Sequence, residues 1–358
     1  MTTPGAARPG ARGDHGLTAT SAAPVGPPAG PLRAFVAELA RAGVGDAIVC
    51  PGSRSTPLAL AIRMSGAIRV HVLLDERSAG YFALGLAKAS RRPVAILVTS
   101  GTAAANLLPA VVEAREARVP LVVLTADRPP ELRDRGSNQT IDQVHLYGRF
   151  ARWYVELPVP EPAPGVDAHW RGVAGRAVAT ALEPPAGPVH VNLPFREPLV
   201  PEGSLGPEDG TTLGEPYLGL VPARRLPEPG DLDRLAGAIA DAARPLVVVG
   251  PLDRPGFADA LARLAEVADL PVFADGLANV RCGRHDRSRL VVRHDALLRV
   301  PGLRAARRPD LVVRFGATPT SKALIGYLAE AGAAGAVQLV VDDGAWNEPT
   351  LAPATIVR

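Results

Sequence analysis

Asp46-Ala-Ile-Val-Cys50 runs into Pro51-Gly-Ser-Arg54, and Ile68-Arg-Val-His-Val-Leu-Leu74 into Asp75-Glu-Arg-Ser78. Pro93-Val-Ala-Ile-Leu-Val98 runs into Thr99-Ser-Gly-Thr102, and Leu121-Val-Val-Leu124 into Thr125-Ala-Asp-Arg-Pro-Pro130. Each apolar run has the length of a buried strand and ends in turn-forming or polar residues. Helical spacing follows from about Pro57, through Ala89, and over Ala103 to Ala117. Strands alternating with helices at this interval predict βαβ units and a parallel sheet.

Working outward, Leu32-Arg-Ala-Phe-Val-Ala-Glu-Leu-Ala40 has helical spacing and Gly43 offers a stop. Val189-His-Val-Asn-Leu193 reads as the strand that closes this domain near Pro198. A second alternating series comprises Pro245–Val249, the helix Ala258–Ala268, Pro271–Ala274, Asp310–Phe315 and Val337–Val341, taken as the last strand before Arg358. The expected organisation is a disordered tail at 1–30, a first domain at 31–200, a linker at 201–230 and a smaller α/β domain at 231–358. The tail is rich in Ala, Gly, Pro and Thr without apolar period.

Composition bounds the function. Of 358 residues, 47% are hydrophobic, 21% charged and 4% aromatic, so a large core is affordable and Ala, Val and Leu must fill it. Gly (36) and Pro (37) exceed common usage, which fits many turns. The net charge of +3 is mild and no long basic run points to nucleic acid. Lys88 and Lys322 are the only lysines, so arginine carries the positive charge and suits planar anions. Cys50 and Cys282 are far apart, which argues against a disulfide framework or a zinc cluster. No apolar run approaches a membrane span and the first thirty residues lack a signal-like apolar stretch. The expectation is a cytoplasmic protein without a membrane or nucleic-acid partner.

Ligands of open α/β sheets gather at the carboxyl ends of the strands. There stand Ser53 and Arg54, then Asp75 and Glu76, then Ser100, Thr102 and Asn106, then Asp127 and Arg128. Each also has a structural reading: Asp75 as a helix cap, Glu76 as a first-turn acid, Ser100 and Thr102 as caps, and Arg128 paired with Asp127 or Glu131. His145 and His190 lack partners at metal-binding spacing and read as structural. Val249-Gly-Pro-Leu-Asp253 is not GxGxxG, and no GxxxxGK[ST] occurs, so dinucleotide binding by the second domain has little support.

Several ordered blocks resemble the MenD family of thiamine-diphosphate-dependent synthases of menaquinone biosynthesis. They are Cys50-Pro-Gly-Ser-Arg-Ser-Thr-Pro-Leu58, Asp75-Glu-Arg-Ser-Ala-Gly80, Ala83-Leu-Gly-Leu-Ala-Lys88, Thr99-Ser-Gly-Thr-Ala-Ala-Ala-Asn-Leu107 and Leu124-Thr-Ala-Asp-Arg-Pro-Pro-Glu-Leu132. Ser137-Asn-Gln-Thr-Ile-Asp-Gln143 and Gly187-Pro-Val-His-Val-Asn-Leu-Pro-Phe-Arg-Glu-Pro-Leu199 continue the likeness, with Arg314-Phe-Gly316 and Thr320-Ser-Lys322 beyond. The resemblance implies decarboxylation of 2-oxoglutarate on thiamine diphosphate and addition of the four-carbon fragment to isochorismate. The product is 2-succinyl-5-enolpyruvyl-6-hydroxy-3-cyclohexene-1-carboxylate (SEPHCHC). It implies a transferase, working as a dimer or tetramer with Mg2+ or Mn2+.

By matching position, Glu76 and Gln139 are the expected catalytic residues, and Glu76, Thr102 and Asn106 border the cofactor. Ser53, Arg54, Arg128, Asn138, Gln139 and Lys322 surround the substrates. A carboxyl shielded from water at Glu76 would share a proton with N1′ of the aminopyrimidine. Both substrates are dicarboxylates, which cationic and amide donors suit. The family's third domain binds diphosphate and metal through a GDG motif followed by Asn. No GDG occurs here, and Asp342-Asp-Gly344 has Asn347 too close behind it. The expectation is therefore a pyrimidine-binding domain and a central domain without the diphosphate-binding one, no metal ligand in this chain, and no activity by the chain alone. The alternatives are another thiamine-diphosphate carboligase or decarboxylase, or a non-catalytic regulatory or partner module.

Overall fold

The computed structural model describes residues 26–207, 214–219 and 226–358. They form two compact units, the first comprising residues up to Leu182 with Ala186–Leu220 and the second centred on Val221–Arg358. The expected disordered tail falls mostly on residues 1–25, outside the described residues. The remainder of it is ordered: Pro28 bridges to Glu202, and the first helix already begins at Ala29.

The first unit runs α1 (Ala29–Arg41), β1 (Asp46–Val49), α2 (Thr56–Ser65), β2 (Arg69–Val72), α3 (Glu76–Ser90), β3 (Val94–Val98), α4 (Thr102–Ala105), α5 (Leu108–Glu116), β4 (Leu121–Asp127), β5 (Tyr154–Glu156), α6 (Val166–Leu182) and β6 (Val189–Pro194). Its six strands lie in the order β2-β1-β3-β4-β6-β5, every pairing parallel. The central strands are buried along their whole length while the edge strands β2 and β5 are not. That is why β1, β3 and β4 read as continuous apolar runs, since helices cover both faces of the sheet.

Alternation along each strand separates the two cores. Ala95, Leu97, Val122, Leu124, Val189 and Val191 pack with Phe35 and Leu39 of α1, Leu58 and Ile62 of α2 and Trp170 of α6. Val94, Ile96, Val98, Leu121 and Val123 face the α3 and α5 residues Ala79, Ala83 and Val111. Phe35 and Trp170, both fully buried, meet edge-to-face with ring centres 5.9 Å apart.

The helix expected over Ala103–Ala117 is two. α4 ends at Ala105, and α5 restarts at Leu108 with Pro109 in its first turn. A proline there has no N–H for the Ala105 carbonyl and its ring crowds that carbonyl, so the helix must break. The break places Asn106 at the junction.

The second unit runs α7 (Pro229–Asp241), β7 (Pro245–Val249), α8 (Phe257–Val267), β8 (Val272–Ala274), α9 (His294–Leu297), α10 (Pro301–Ala306), β9 (Leu311–Phe315), α11 (Lys322–Ala333), β10 (Val337–Val341) and β11 (Thr355–Val357). Its strands are all parallel in the order β11-β10-β9-β7-β8. The strand expected to be last is followed by β11. Within the stretch expected as linker, residues 208–213 and 220–225 lie outside the described residues. The piece between them is held to α1, where the buried Glu38 carboxylate accepts from the Tyr217 N–H at 2.8 Å. Among the described residues no helix is long and apolar enough to cross a membrane.

Candidate functional site

In the first sheet the order reverses between β1 and β3, because β2 lies on one side of β1 and β3, β4 and β6 on the other. Such a switch point opens a crevice at the carboxyl ends of the flanking strands. Here the chain leaves β1 through Gly52 and β3 through Thr99-Ser-Gly101. The two exits touch: a Cβ on Gly52 would lie 2.3 Å from Thr99 Cβ, so only glycine fits.

At the carboxyl ends of these strands the first unit brings together Glu76 and Asn106 as one pair, and Arg54, Arg128, Ser100, Asn138 and Gln139 as another group, while Ser53 and Thr102 begin the helical turns that follow β1 and β3. Glu76 is the first residue of α3, which Asp75 caps by accepting the Ser78 N–H at 2.7 Å. The cap reading of Asp75 thus holds, and it frees Glu76 from capping. The Glu76 side chain is half-buried, and its Oε2 accepts from Asn106 Nδ2 at 3.3 Å. Thr102 and Asn106 are exposed on the rim. Glu76 lies close enough to Cys50 to matter electrostatically. Burial first, then the Glu76 and Asp75 charges, push the Cys50 thiol up to about 12.

Ser100 and Thr102 do not cap α4, whose N-cap is Gly101 with no side-chain bond. The fully buried Ser100 instead accepts Arg128 Nη1 at 2.5 Å, while Arg128 Nη2 donates to the Asn138 carbonyl at 2.8 Å. Arg128 takes neither Asp127 nor Glu131 as an ion-pair partner among the described residues: Asp127 accepts its backbone N–H, and Glu131 pairs with Arg196. Gln139 adopts φ +54° and donates from Nε2 to the Ser100 carbonyl at 3.0 Å. Its side chain and carbonyl crowd Gly101, itself at φ +83°, where an added Cβ would lie 2.9 Å from Gln139 Cγ and 3.1 Å from the Gln139 carbonyl oxygen. Glycine serves Gly101 twice over, for its left-handed backbone and for this approach.

Arg54 is buried. Its Nη1 donates to the Phe195 carbonyl at 2.8 Å and its Nη2 to Glu197 Oε1 at 2.8 Å. Burial first, and then the neighbouring Arg128 charge, lower the Arg54 pKa from its ordinary value. Two guanidinium groups thus share one crevice. Lys322, the remaining expected substrate contact, belongs to the second unit, exposed at the first position of α11.

The sequence reading missed the layer beneath. Gln143 is buried, accepts the Gly101 N–H on Oε1 at 2.9 Å, and donates from Nε2 to the Ala126 carbonyl at 3.1 Å and to Asn192 Oδ1 at 2.9 Å. Asn192 donates to Asp127 Oδ2 at 2.8 Å and Glu156 Oε2 at 2.9 Å. Arg133 closes the set on Glu156 and Asp127. Burial raises the Asp127 carboxyl above its usual range, opposed by the Asn192 amide and the Arg133 charge.

Thr125 donates its one hydroxyl hydrogen to Asn192 Oδ1 at 2.7 Å and so accepts from His190 Nε2 at 2.7 Å. His190 is structural, buried and held down to about 3 by burial and by His145. The signal for this layer was present: Thr125 and Asp127, His190 and Asn192, and Tyr154 and Glu156 each stand two apart. Thr125, Asn192 and Glu156 stand in register across three strands, and His190 is opposite Tyr154, which makes a polar stripe on that face. Among the described residues no group of three or more His, Cys, Asp or Glu side chains is placed to hold a metal ion.

Residues 32–146 match the thiamine pyrophosphate enzyme N-terminal TPP binding domain family. The curated 2-succinyl-5-enolpyruvyl-6-hydroxy-3-cyclohexene-1-carboxylate synthase of Geobacillus kaustophilus is 49% identical over 334 residues, 91% of this chain and 56% of that protein. The synthase of the same name from Halorubrum lacusprofundi is 45% identical over 346 residues, 91% of this chain and 55% of that protein. Among solved structures, the thiamine diphosphate-dependent 4-hydroxybenzoylformate decarboxylase of Rhodococcus jostii RHA1 shares the fold. Its TM-score is 0.62 at 20% identity, covering 91% of this chain and 59% of that one. The chain thus spans a little over half the length of the curated relatives it matches. Over nine-tenths of its own residues the chain is similar to these synthases, and its residues 32–146 match the thiamine pyrophosphate enzyme N-terminal domain family.

Proposed function

We propose that these residues form the aminopyrimidine and substrate-carboxylate side of a SEPHCHC synthase of menaquinone biosynthesis. Such an enzyme removes CO2 from 2-oxoglutarate and joins the remaining four carbons to isochorismate. The observation that carries the reading is that the carboxyl ends of one sheet hold a carboxylate released from capping and, separately, two neighbouring guanidinium groups. Glu76 is relieved of capping by Asp75 and bonded only to Asn106 among the described residues, and Arg54 and Arg128 lie close enough to each other for their charges to interact.

The residues fit thiamine diphosphate. Glu76 offers a half-buried carboxylate to a ring nitrogen, and the Asn106 amide and Thr102 hydroxyl line the same rim. When bound, the cofactor supplies the electron sink for decarboxylation and carbon–carbon bond formation. The chain's own part is to hold a proton at Glu76 against the pyrimidine ring, to keep that carboxylate oriented through Asn106, and to receive the substrate carboxylates. Arg54 and Arg128 supply the charge for that last task, and the Asn138 and Gln139 amides flank it. Gln139 is held against the Ser100 carbonyl, and so stays within reach of the crevice.

The rim residues Thr102 and Asn106 are exposed, as are Leu74 just before α3, Tyr81 and Phe82 on it, and Leu108 at the start of α5. This supports a second subunit covering Glu76, in a dimer or tetramer. Diphosphate and Mg2+ or Mn2+ would be held by the portion of the synthase that the relatives' greater length represents. Lys322 stands in this reading as a further substrate contact, and the enzyme as cytoplasmic.

Complementation tests the reading. The 358-residue chain is mixed with the carboxy-terminal portion of the Geobacillus kaustophilus synthase, thiamine diphosphate, Mg2+ and both substrates, and SEPHCHC is followed by mass. The expected result is no product from the chain alone and product from the mixture. Glu76→Gln should abolish that product while the melting temperature stays within a few degrees. Near-normal turnover by Glu76→Gln would overturn the role of Glu76, and product from the chain alone would overturn the half-site.

A further inference from the structure

Arg54 presents an unusual balance of burial and partnership. Its side chain is 4% exposed, yet the carboxylate that neutralises it belongs to Glu197, whose side chain is 71% exposed. Arg54 Nε is buried with no hydrogen-bond partner. Of the other charges that bear on Arg54, Arg128 repels it and Asp127 attracts it. Asp127 is committed elsewhere, to the Arg128 N–H, the Asn192 amide and Arg133. Arg128 itself has no carboxylate partner among the described residues; its guanidinium bonds go to Ser100 and Asn138. Arg54 therefore has a second cationic group beside it, one unused donor, and Glu197 as the one carboxylate bonded to it, reaching in from solvent.

The backbone that carries Glu197 is fastened on its near side. Phe195 is fully buried and its carbonyl accepts from Arg54. The Arg196 guanidinium is gripped by Glu131 at 2.6 Å and by Glu161 at 2.6 Å. Glu197 can leave Arg54 by side-chain rotation alone, and its carboxylate is already largely hydrated. What forbids a simple departure is Arg54, because a buried guanidinium stripped of its counter-charge is strongly disfavoured. An incoming carboxylate removes that obstacle by taking Nη2, the donor that Glu197 holds, and adding Nε.

We propose that Glu197 is an internal placeholder for a substrate carboxylate: it neutralises Arg54 in the empty site and is exchanged for the carboxylate of the bound acid. This rests on the dicarboxylate reading of the crevice given above. In consequence Glu197 sets selectivity, since a ligand must outcompete a tethered carboxylate to bind. Neutral analogues and weakly held monoacids are thereby refused.

Titrating the 358-residue chain with 2-oxoglutarate, and separately with isochorismate, tests this, with binding followed by calorimetry and by the Arg54 Nε–H resonance. That resonance is assigned by its loss in Arg54→Lys. Glu197→Gln should bind one of the two acids at least tenfold more tightly than the unaltered chain, and the acid that gains identifies the carboxylate involved. Glu197→Asp, which keeps the charge but shortens the reach, should fall between them. In the unaltered chain the Arg54 Nε–H signal should move on saturation, which needs no variant to fold. Equal or weaker binding by a folded Glu197→Gln would overturn the placeholder and leave the substrate reading intact. No binding of either acid by either protein would overturn both.

Discussion

Replacing Gln143 by leucine tests the layer that holds the crevice in place. Gln143 is buried and its side chain makes three bonds at once, to the Gly101 N–H, the Ala126 carbonyl and Asn192 Oδ1. Leucine fills similar space and restores none of them. Asn192 Oδ1 keeps the Thr125 hydroxyl, so its loss is partial. Gly101 is buried and its N–H bonds only to Gln143 among the described residues, so it carries the larger penalty of about 2 kcal/mol for a stranded donor. The two bonds from Nε2 add roughly 0.5 kcal/mol each, for a total of about 3 kcal/mol.

Urea unfolding followed by tryptophan fluorescence reads this directly. Trp153 and Trp170 belong to the first unit, and a Trp346→Phe background removes the third tryptophan, which is exposed in the second. Val144→Ala, at an exposed neighbouring side chain, serves as control and should change stability by less than about 0.5 kcal/mol. Amide exchange at Gly101 should accelerate at least about 30-fold under native conditions. A Gln143→Leu chain within about 0.5 kcal/mol of the unaltered one would refute the reasoning, because it would mean that Gly101 finds water or another acceptor.

Gly52→Ala puts a Cβ 2.3 Å from Thr99 Cβ and should destabilise the first unit by about 3 kcal/mol in the same unfolding assay. Thr99→Gly should restore much of that loss and Thr99→Ala little, since the clash is with Thr99 Cβ itself. His190 is held at about 3 against an ordinary value of 6.5, so the folded state disfavours its protonation while the unfolded chain accepts the proton. Its stabilising contribution is whole above pH 6.5 and is lost as pH falls toward 3, by up to about 1.4 kcal/mol per pH unit. His190→Gln should flatten that part of the pH–stability curve, and an unchanged slope would dismiss His190 as its source.

The strands that build the crevice were legible because each is buried on both faces. Val94–Val98 and Leu121–Leu124 admit hardly any polar residue, and the first polar residue after each marks the strand end. β5 left no such mark: Tyr154–Glu156 is three half-buried residues at a sheet edge. α6 was missed for the opposite reason. Trp170, Val173, Ala174, Gly175, Ala177, Val178 and Ala181 are buried over a broad arc, which blurs the helical period.

Arg128 could be placed at a strand end by pattern, but not aimed. Its partners Ser100 and Asn138 are 28 and 10 residues away. Spacing suggested instead the neighbours Asp127 and Glu131. The difference lies in tertiary geometry: Asp127 is claimed by Asn192 and Arg133, and Glu131 by Arg196.

The two sheets offer a comparison within one chain. Each has a switch point, β1/β3 in the first unit and β7/β9 in the second, so topology alone would give each a ligand crevice. In the second unit the chain fills its own. A Cβ on Gly250 would fall 1.7 Å from the Ala317 carbonyl oxygen, and one on Gly316, at φ +78°, would meet the Pro251 carbonyl at 2.8 Å. The exits of β7 and β9 are thus folded onto each other. The polar groups there are spent as well: Asp275 accepts the Thr320 N–H and hydroxyl, each at 2.7 Å, and buried Arg314 is paired with Glu348. In the first unit the exits touch at Gly52 and Thr99. Glu76 has a single long bond, Thr102 and Asn106 face outward, and Arg54 keeps an unused donor. A crevice can serve as a site when its polar groups are arranged but not consumed, and that difference favours the first sheet as the seat of the proposed chemistry.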